Sequence, residues 1–175
     1  MIDKSDNIKV AFERSRKALT LRPALGKGTG VSRIKITDGL SCEIEEGPWR
    51  FTADMTEQAG GSSTGPTPGV YGRAALGSCL AMGIMMHAAY MNIPVKSLQV
   101  EVQADYDDGA LFGVNDVPPG YLEVRYIVTI ESDAPETALL KLLDESDKHS
   151  PYLDVFSRGQ TCKREVHIIS TRVRS

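Results

Sequence analysis

No two cysteines in this chain are spaced CxxC, only three histidines occur in it, and its cysteines, Cys42, Cys79 and Cys162, are odd in number and irregularly placed. That pattern supplies neither a zinc ligand set nor a disulfide framework, so no metal and no bound cofactor is expected. An excess of positive charge is missing too. The 20 Lys and Arg against 23 Asp and Glu leave a net charge of −3, so neither nucleic acid nor an anionic membrane surface is an expected partner. The opening Met1-Ile2-Asp3-Lys4-Ser5-Asp6-Asn7 lacks the basic and apolar regions of a secretion signal, and the expected location is the cytoplasm, where thiols stay reduced. With 41% hydrophobic and 25% charged residues among 175, the chain has the make-up of one soluble domain with its own core.

One feature is present in force. Residues 74–95 contain no charged side chain apart from His87 when protonated, close to the ~20 residues that span a bilayer. Gly77, Ser78, Gly83, His87 and Asn92 interrupt the run, no second one follows, and its flanks are amphipathic. It therefore reads as the central helix of a globular core, covered on all sides. Residues 57–69 ahead of it are too rich in Gly and Pro for regular structure. Cys79 then falls near the start of the helix, where the dipole favours the thiolate, the nucleophilic form of cysteine. That makes it the natural centre of any chemistry.

Around this run the periodicity alternates between helix and strand. Ile8, Phe12, Ser15 and Leu19 recur at helical spacing within residues 3–21, with Lys9, Arg14, Arg16 and Lys17 elsewhere, predicting an amphipathic leading helix with a solvated basic face. The expected division is a leader, 1–22, and a body, 23–175, within a single domain. Across 31–53 the period becomes two. Ile34 shares a face with Ile36, Cys42 with Ile44, and Trp49 with Phe51 and Ala53, around turns at Asp38-Gly39 and Gly47-Pro48, which predicts an antiparallel meander with Cys42 inward. Leu98, Val100, Val102, Ala104 and Tyr106 predict a half-buried strand, and Leu122, Val124, Tyr126, Val128 and Ile130 a second, with an acidic exposed loop between them. Pro135 opens a helix with Leu139, Leu140, Leu142 and Leu143 toward the core, ending near His149. Ser150 then caps a short helix over 151–157, and a closing strand over 161–171 turns Cys162, Val166 and Ile168 inward. Strands in antiparallel groups make the fold class α+β. A helix apolar on every side needs more cover than one small sheet gives, which a dimer with two such helices between two sheets supplies.

This organisation, with Pro66-Thr67-Pro68, then Ala74-Ala75-Leu76-Gly77-Ser78-Cys79-Leu80-Ala81, then His149-Ser150-Pro151, resembles the OsmC/Ohr family, the osmotically inducible and organic hydroperoxide resistance proteins, over roughly residues 30–170. The resemblance implies an OsmC-like fold, with antiparallel β-sheets packed around a long buried central helix in an intertwined homodimer, and an active site at the subunit interface. It also implies that Cys79 is the peroxidatic cysteine. In the family that cysteine takes an oxygen from an organic hydroperoxide to become a sulfenic acid, and a second cysteine closes a disulfide that an external dithiol reduces. Here the second position holds Ser150, which cannot close one. The family's glutamate before the helix falls at about Gly69, and its arginine at about Gly28. Arg73, Lys27 and Arg33 remain as candidate auxiliary cations, and Arg158 is a more distant one. His87, eight residues on, lies about 12 Å along a helix from Cys79, too far for a Cys–His pair in one chain.

Two functions of different class follow. The first is thiol-dependent reduction of a small hydrophobic peroxide at Cys79, regenerated by an external thiol reductant, or by Cys42 or Cys162 if the fold brings one near. The second is a non-catalytic homodimer that binds a small hydrophobic ligand in an interface pocket lined by Met82, Met85, Met86, Tyr152 and Phe156.

Overall fold

The computed structural model of the chain describes residues 4–169. Helix α1 is Lys4–Leu21, followed by a 3-10 turn at Pro23–Gly26. Strands β1 (Arg33–Asp38), β2 (Ser41–Glu46) and β3 (Trp49–Ala53) form an antiparallel meander. The long helix α2, Pro68–Met91, comes next, then β4 (Ser97–Asp105), a single turn α3 (Asp108–Leu111) and β5 (Glu123–Glu131), and finally α4 (Glu136–Lys148) and α5 (Pro151–Ser157). Strands β4 and β5 pair antiparallel as a second, separate sheet. The α+β class and the two antiparallel groups of strands are as the periodicity predicts.

The core lies between the C-terminal half of α2, the β4–β5 sheet and α4. Ile84, Ala88 and Leu142 are its buried centre, with Leu98, Val100, Val128, Ile130, Leu139 and Leu143 packed around them. The β4–β5 register explains why the alternation is so clean. Leu98 faces Ile130, Val100 faces Val128, and Val102 faces Tyr126, so cross-strand apolar pairs line one side of the sheet. Tyr126 donates to Asp147 at 2.6 Å. Partial burial, and then this carboxylate, push its phenol up to about 12. Helix α4 crosses α2 closely at Gly83, where an added Cβ would stand 3.1 Å from Ser146 Oγ.

Three expectations are corrected and one is met. First, α2 starts at Pro68, inside the stretch read as loop. Proline at the first turn gives up an amide that has no partner there anyway, so the glycines behind it do not prevent the helix. Second, and as expected, one chain does not cover α2 on all sides. It buries Leu76, Leu80, Ile84, Ala88 and Ala89 and leaves Val70, Ala74, Ser78, Met82 and Met86 exposed, each four residues from the last and so in one stripe. Third, Leu140 points to solvent, because it is about 100° round α4 from Leu139. Fourth, residues 161–169 form no strand. Cys162, Val166 and Ile168 are exposed there rather than inward, since neither sheet of this chain takes the segment as a neighbour. The last two residues of the expected strand, 170 and 171, lie outside the described residues.

One side of the meander is open at β1 and closed at β3, where Ala53 is buried and Phe51 meets Tyr71 of α2 at 5.5 Å. Ile34, Ile44 and Phe51 stand opposite one another across the three strands, as do Ile36, Cys42 and Ala53. Ile34 and Ile36 are more than half exposed. Helix α2 by length and composition would span a membrane, but here it packs against α1, β4, α4 and α5.

Candidate active site around Cys79

Cys79 lies eleven residues after Pro68, three turns into a 24-residue helix. The field of the helix terminus acts within the first turn, so it does not reach Cys79, and that part of the expectation from sequence fails. What the fold supplies instead is a hydroxyl. Cys79 Sγ lies 3.6 Å from Ser150 Oγ, across 71 residues of sequence. Ser150 is 5% exposed and caps α5, its Oγ accepting from Leu153 N–H at 3.4 Å. With that lone pair engaged, the hydroxyl proton is free to point at the sulfur.

The other two thiols stand elsewhere. Cys42 is half-buried on β2, its Sγ 3.8 Å from Leu40 O, and Cys162 is exposed beyond α5. All three cysteines are free. Among the described residues, the hydrogen-bond partner of Cys79 is Ser150 alone.

The candidate cations are not gathered at the thiol. Lys27 and Arg33 are exposed, on the segment before the meander and on β1, with no hydrogen bond or ion pair to Cys79. Arg158 is held by Asp154 one turn back on α5. Arg73 is half-buried and donates to Tyr121 OH at 3.3 Å, while Tyr121 donates to Gly69 O at 3.0 Å and stacks on Phe156 at 6.1 Å. Gly69 matters to that cluster because an added Cβ would sit 3.3 Å from the guanidinium. Arg73 is therefore fixed near the start of α2, about 9 Å along the axis from Cys79.

Asp54 organises the approach to α2. Only 2% exposed, its carboxylate accepts from Met55 N, Ser62 N, Thr64 N and Thr64 Oγ1 at 2.7–3.2 Å. Gly65 lets the returning chain touch β3, since a Cβ there would be 2.6 Å from Thr52 O. The Thr64 hydroxyl, followed by the backbone donors, holds the Asp54 carboxyl below the ordinary carboxylate range. A carboxylate depressed in the folded state contributes stability that is complete above the unfolded pKa, roughly 4, and is lost as pH falls through the folded value. The expected outcome is that Asp54→Asn lowers Tm at pH 7 and flattens the fall of Tm below about pH 4, as read by thermal melts across pH.

The surroundings of His87 are not legible in the sequence. Its Nδ1 lies 2.9 Å from Gly83 O, its ring meets Phe12 of α1 edge-on at 5.4 Å, and it stacks on His149 at 5.6 Å. Phe12 at an apolar position of α1 and His149 beside Ser150 are each visible in the sequence, but nothing in their spacing joins them.

The family model for OsmC-like protein matches residues 60–165, more than half of the chain, and the chain belongs to that family. Solved structures show the same fold. An OsmC-like protein from Mycoplasma pneumoniae aligns with a TM-score of 0.64 at 16% identity, over 74% of this chain and 88% of its own. An organic hydroperoxide resistance protein OsmC from Legionella pneumophila aligns at 0.57 and 16% identity, over 74% and 90%. An OsmC-like protein of unknown function from Vibrio cholerae gives 0.58 at 11% identity, over 74% and 94%. No curated protein matches the sequence. Helix α1 lies wholly outside the residues matched by the family model.

Proposed function

We propose that the protein reduces organic hydroperoxides through Cys79 in a one-cysteine cycle completed by an external thiol. The observation that carries this reading is the pairing of Cys79 Sγ with a serine hydroxyl, at 3.6 Å, where a disulfide partner would stand. The Cys79 thiolate attacks the terminal peroxide oxygen. The O–O bond breaks, sulfur gains that oxygen, and the alkoxide takes a proton and leaves as the alcohol. Ser150 donates its hydroxyl hydrogen to the anionic sulfur before attack and to the sulfenate after it.

Ser150 has no second sulfur to offer. A small thiol therefore attacks Cys79–SOH, releasing water and leaving a mixed disulfide, and a second thiol frees Cys79 as the small disulfide departs. The family membership and the hydroperoxide resistance ascribed to the Legionella pneumophila protein support the substrate class. Dependence on external thiols fits a reducing cytoplasm. The test is consumption of cumene hydroperoxide with excess monothiol. The expected outcome is turnover by the wild type and none above background by Cys79→Ser; equal rates for the two would overturn the reading.

The working unit in this reading is a homodimer. Among the described residues, apolar surface lacks cover on the Val70–Met86 stripe of α2, at Ile34 and Ile36 on the edge strand of the meander, and at Val166, Ile168 and Ile169 beyond α5. A second copy pairs such surfaces reciprocally about a two-fold axis. Met82, 61% exposed, sits mid-stripe, so Met82→Glu is expected to move the mass by light scattering from twice 19.0 kDa toward 19.0 kDa. Of the residues assigned to a ligand pocket, Met82 and Met86 belong to this stripe. A hollow of about 430 Å³ lies elsewhere, between α1 and Tyr90 of α2, lined by Glu13, Arg16, Lys17, Thr20, Leu21 and Tyr90.

A further inference from the structure

We infer that the N-terminal helix sets the reactivity of Cys79 through a stack of rings, Phe12 on His87 on His149, with His149 as the positioning residue for Ser150. The inference rests on reading Cys79 as the reacting thiol, and it concerns a part of the chain the family model does not match.

The stack is continuous. The Phe12 ring of α1 meets His87 at 67° and 5.4 Å, and His87 lies over His149 at 28° and 5.6 Å. His149 directly precedes Ser150, whose Oγ stands 3.6 Å from Cys79 Sγ. Each imidazole is also pinned along one edge. His87 Nδ1 is 2.9 Å from Gly83 O and His149 Nδ1 is 2.8 Å from Glu145 O. A carbonyl oxygen only accepts, so in both rings Nδ1 carries the hydrogen and donates it. Both rings are therefore held in orientation, and their faces are what they present to one another.

Ser150 needs such a brace because of where it sits. It belongs to a two-residue joint between α4 and α5, with His149 at φ −113° and ψ 13° and Ser150 at φ −83° and ψ 113°. The joint backbone is tied to the end of α4 through His149 N–H to Ser146 O and Ser150 N–H to Asp147 O, both at 3.1 Å. Its links to α2 are the His149 ring against His87 and Ser150 Oγ against Cys79 Sγ, and the ring contact is the one that lies outside the reacting pair. Helix α1 in turn is seated on α2 by more than Phe12. Arg16 donates to Tyr90 OH and lies 5.3 Å over the Tyr90 ring, and Lys9 Nζ donates to Asn92 Oδ1 at 2.6 Å. Seating α1 thus fixes Phe12, which backs His87, which backs the joint that aims the Ser150 hydroxyl.

The experiment is the second-order rate of Cys79 carbamidomethylation by iodoacetamide at neutral pH. It is measured on the full folded chain and read peptide by peptide, so that Cys42 and Cys162 are separated from it. Loss of a hydrogen bond to a charged sulfur is expected to slow Ser150→Ala roughly tenfold. His149→Ala and Phe12→Ala, each made singly, are expected to slow the reaction several-fold, while His149→Phe and Phe12→Tyr, which keep a ring, stay near the wild-type rate. His149→Ala combined with Ser150→Ala is expected to be no slower than Ser150→Ala alone, the signature of one acting through the other. Wild-type rates in both Phe12→Ala and His149→Ala would overturn the inference. So would His149→Phe as slow as His149→Ala, or losses that multiply with that of Ser150→Ala. Alkylation does not require peroxide turnover. A chain that shows this coupling but consumes no hydroperoxide would sink the proposed function and leave the stack standing.

Discussion

The Ser150→Cys variant is expected to close a disulfide between Cys79 and the introduced thiol on treatment with one equivalent of hydroperoxide. The expectation comes from proximity. A sulfur in place of the Ser150 oxygen begins about 3.6 Å from Cys79 Sγ, and small rotations of the two side chains bring it to the ~2.05 Å of an S–S bond. The sulfenic acid formed on Cys79 then meets an intramolecular thiol before a bulk one. Intact mass is expected to show loss of two hydrogens in place of a gained oxygen, and the thiol titre to fall by two. Regeneration changes with it, since a dithiol now turns the enzyme over better than a monothiol. The bridge closes a loop of 71 residues, worth about 4 kcal/mol in chain entropy before strain, so the oxidised variant melts well above its reduced form. A thiol titre that fails to fall by two on peroxide treatment of this variant would mean that Ser150 does not stand where the one-cysteine cycle needs it.

That residue also shows what was legible in advance. Ser150-Pro151 marks an N-cap followed by a first-turn proline, and the short helix α5 is where that signature puts it. The β4 and β5 patterns are equally plain, because each strand has one wet side and one side on the core. Residues 161–169 carry a comparable alternation and form no strand in the single chain. Alternation encodes a face, whereas a strand also needs an edge to pair with, and neither sheet provides one. The same gap explains α2. Composition identifies a long apolar helix, but which of its sides is covered depends on elements distant in sequence, and the Val70–Met86 stripe stays bare. The start of α2 is misplaced in the sequence reading because glycines at 69 and 72 argue for loop locally, while Pro68 and the packing of α2 against α1, β4, α4 and α5 decide for helix. That shift of one element boundary moves Cys79 from the dipole of a helix end to the middle of a helix, and with it the source of any help the thiol receives.

The largest loss of stability is expected from Leu142→Ala. Leu142 is 0% exposed and sits with Ile84 and Ala88 at the centre of the core, where α4 meets α2. Truncation removes three carbons from a close-packed site and leaves a cavity the helices cannot fully collapse, because α4 is already near contact with α2 at Gly83 and Ser146. The expected cost is about 3–5 kcal/mol. For a chain of this size each kcal/mol is worth about 2–4 °C, so differential scanning calorimetry is expected to place the variant about 10 °C below wild type. Ile84→Val, which deletes one methylene from the facing side, is expected to cost about 1 kcal/mol. The pair also separates packing from chemistry. At a temperature where both variants are fully folded, Ile84→Val keeps the wild-type rate of Cys79 alkylation, since α4 still delivers His149 and Ser150 to the thiol. A Leu142→Ala chain that melted within a degree of wild type would mean that the α2–α4 contact does not hold the core, and the placement of Ser150 against Cys79 would lose its structural support.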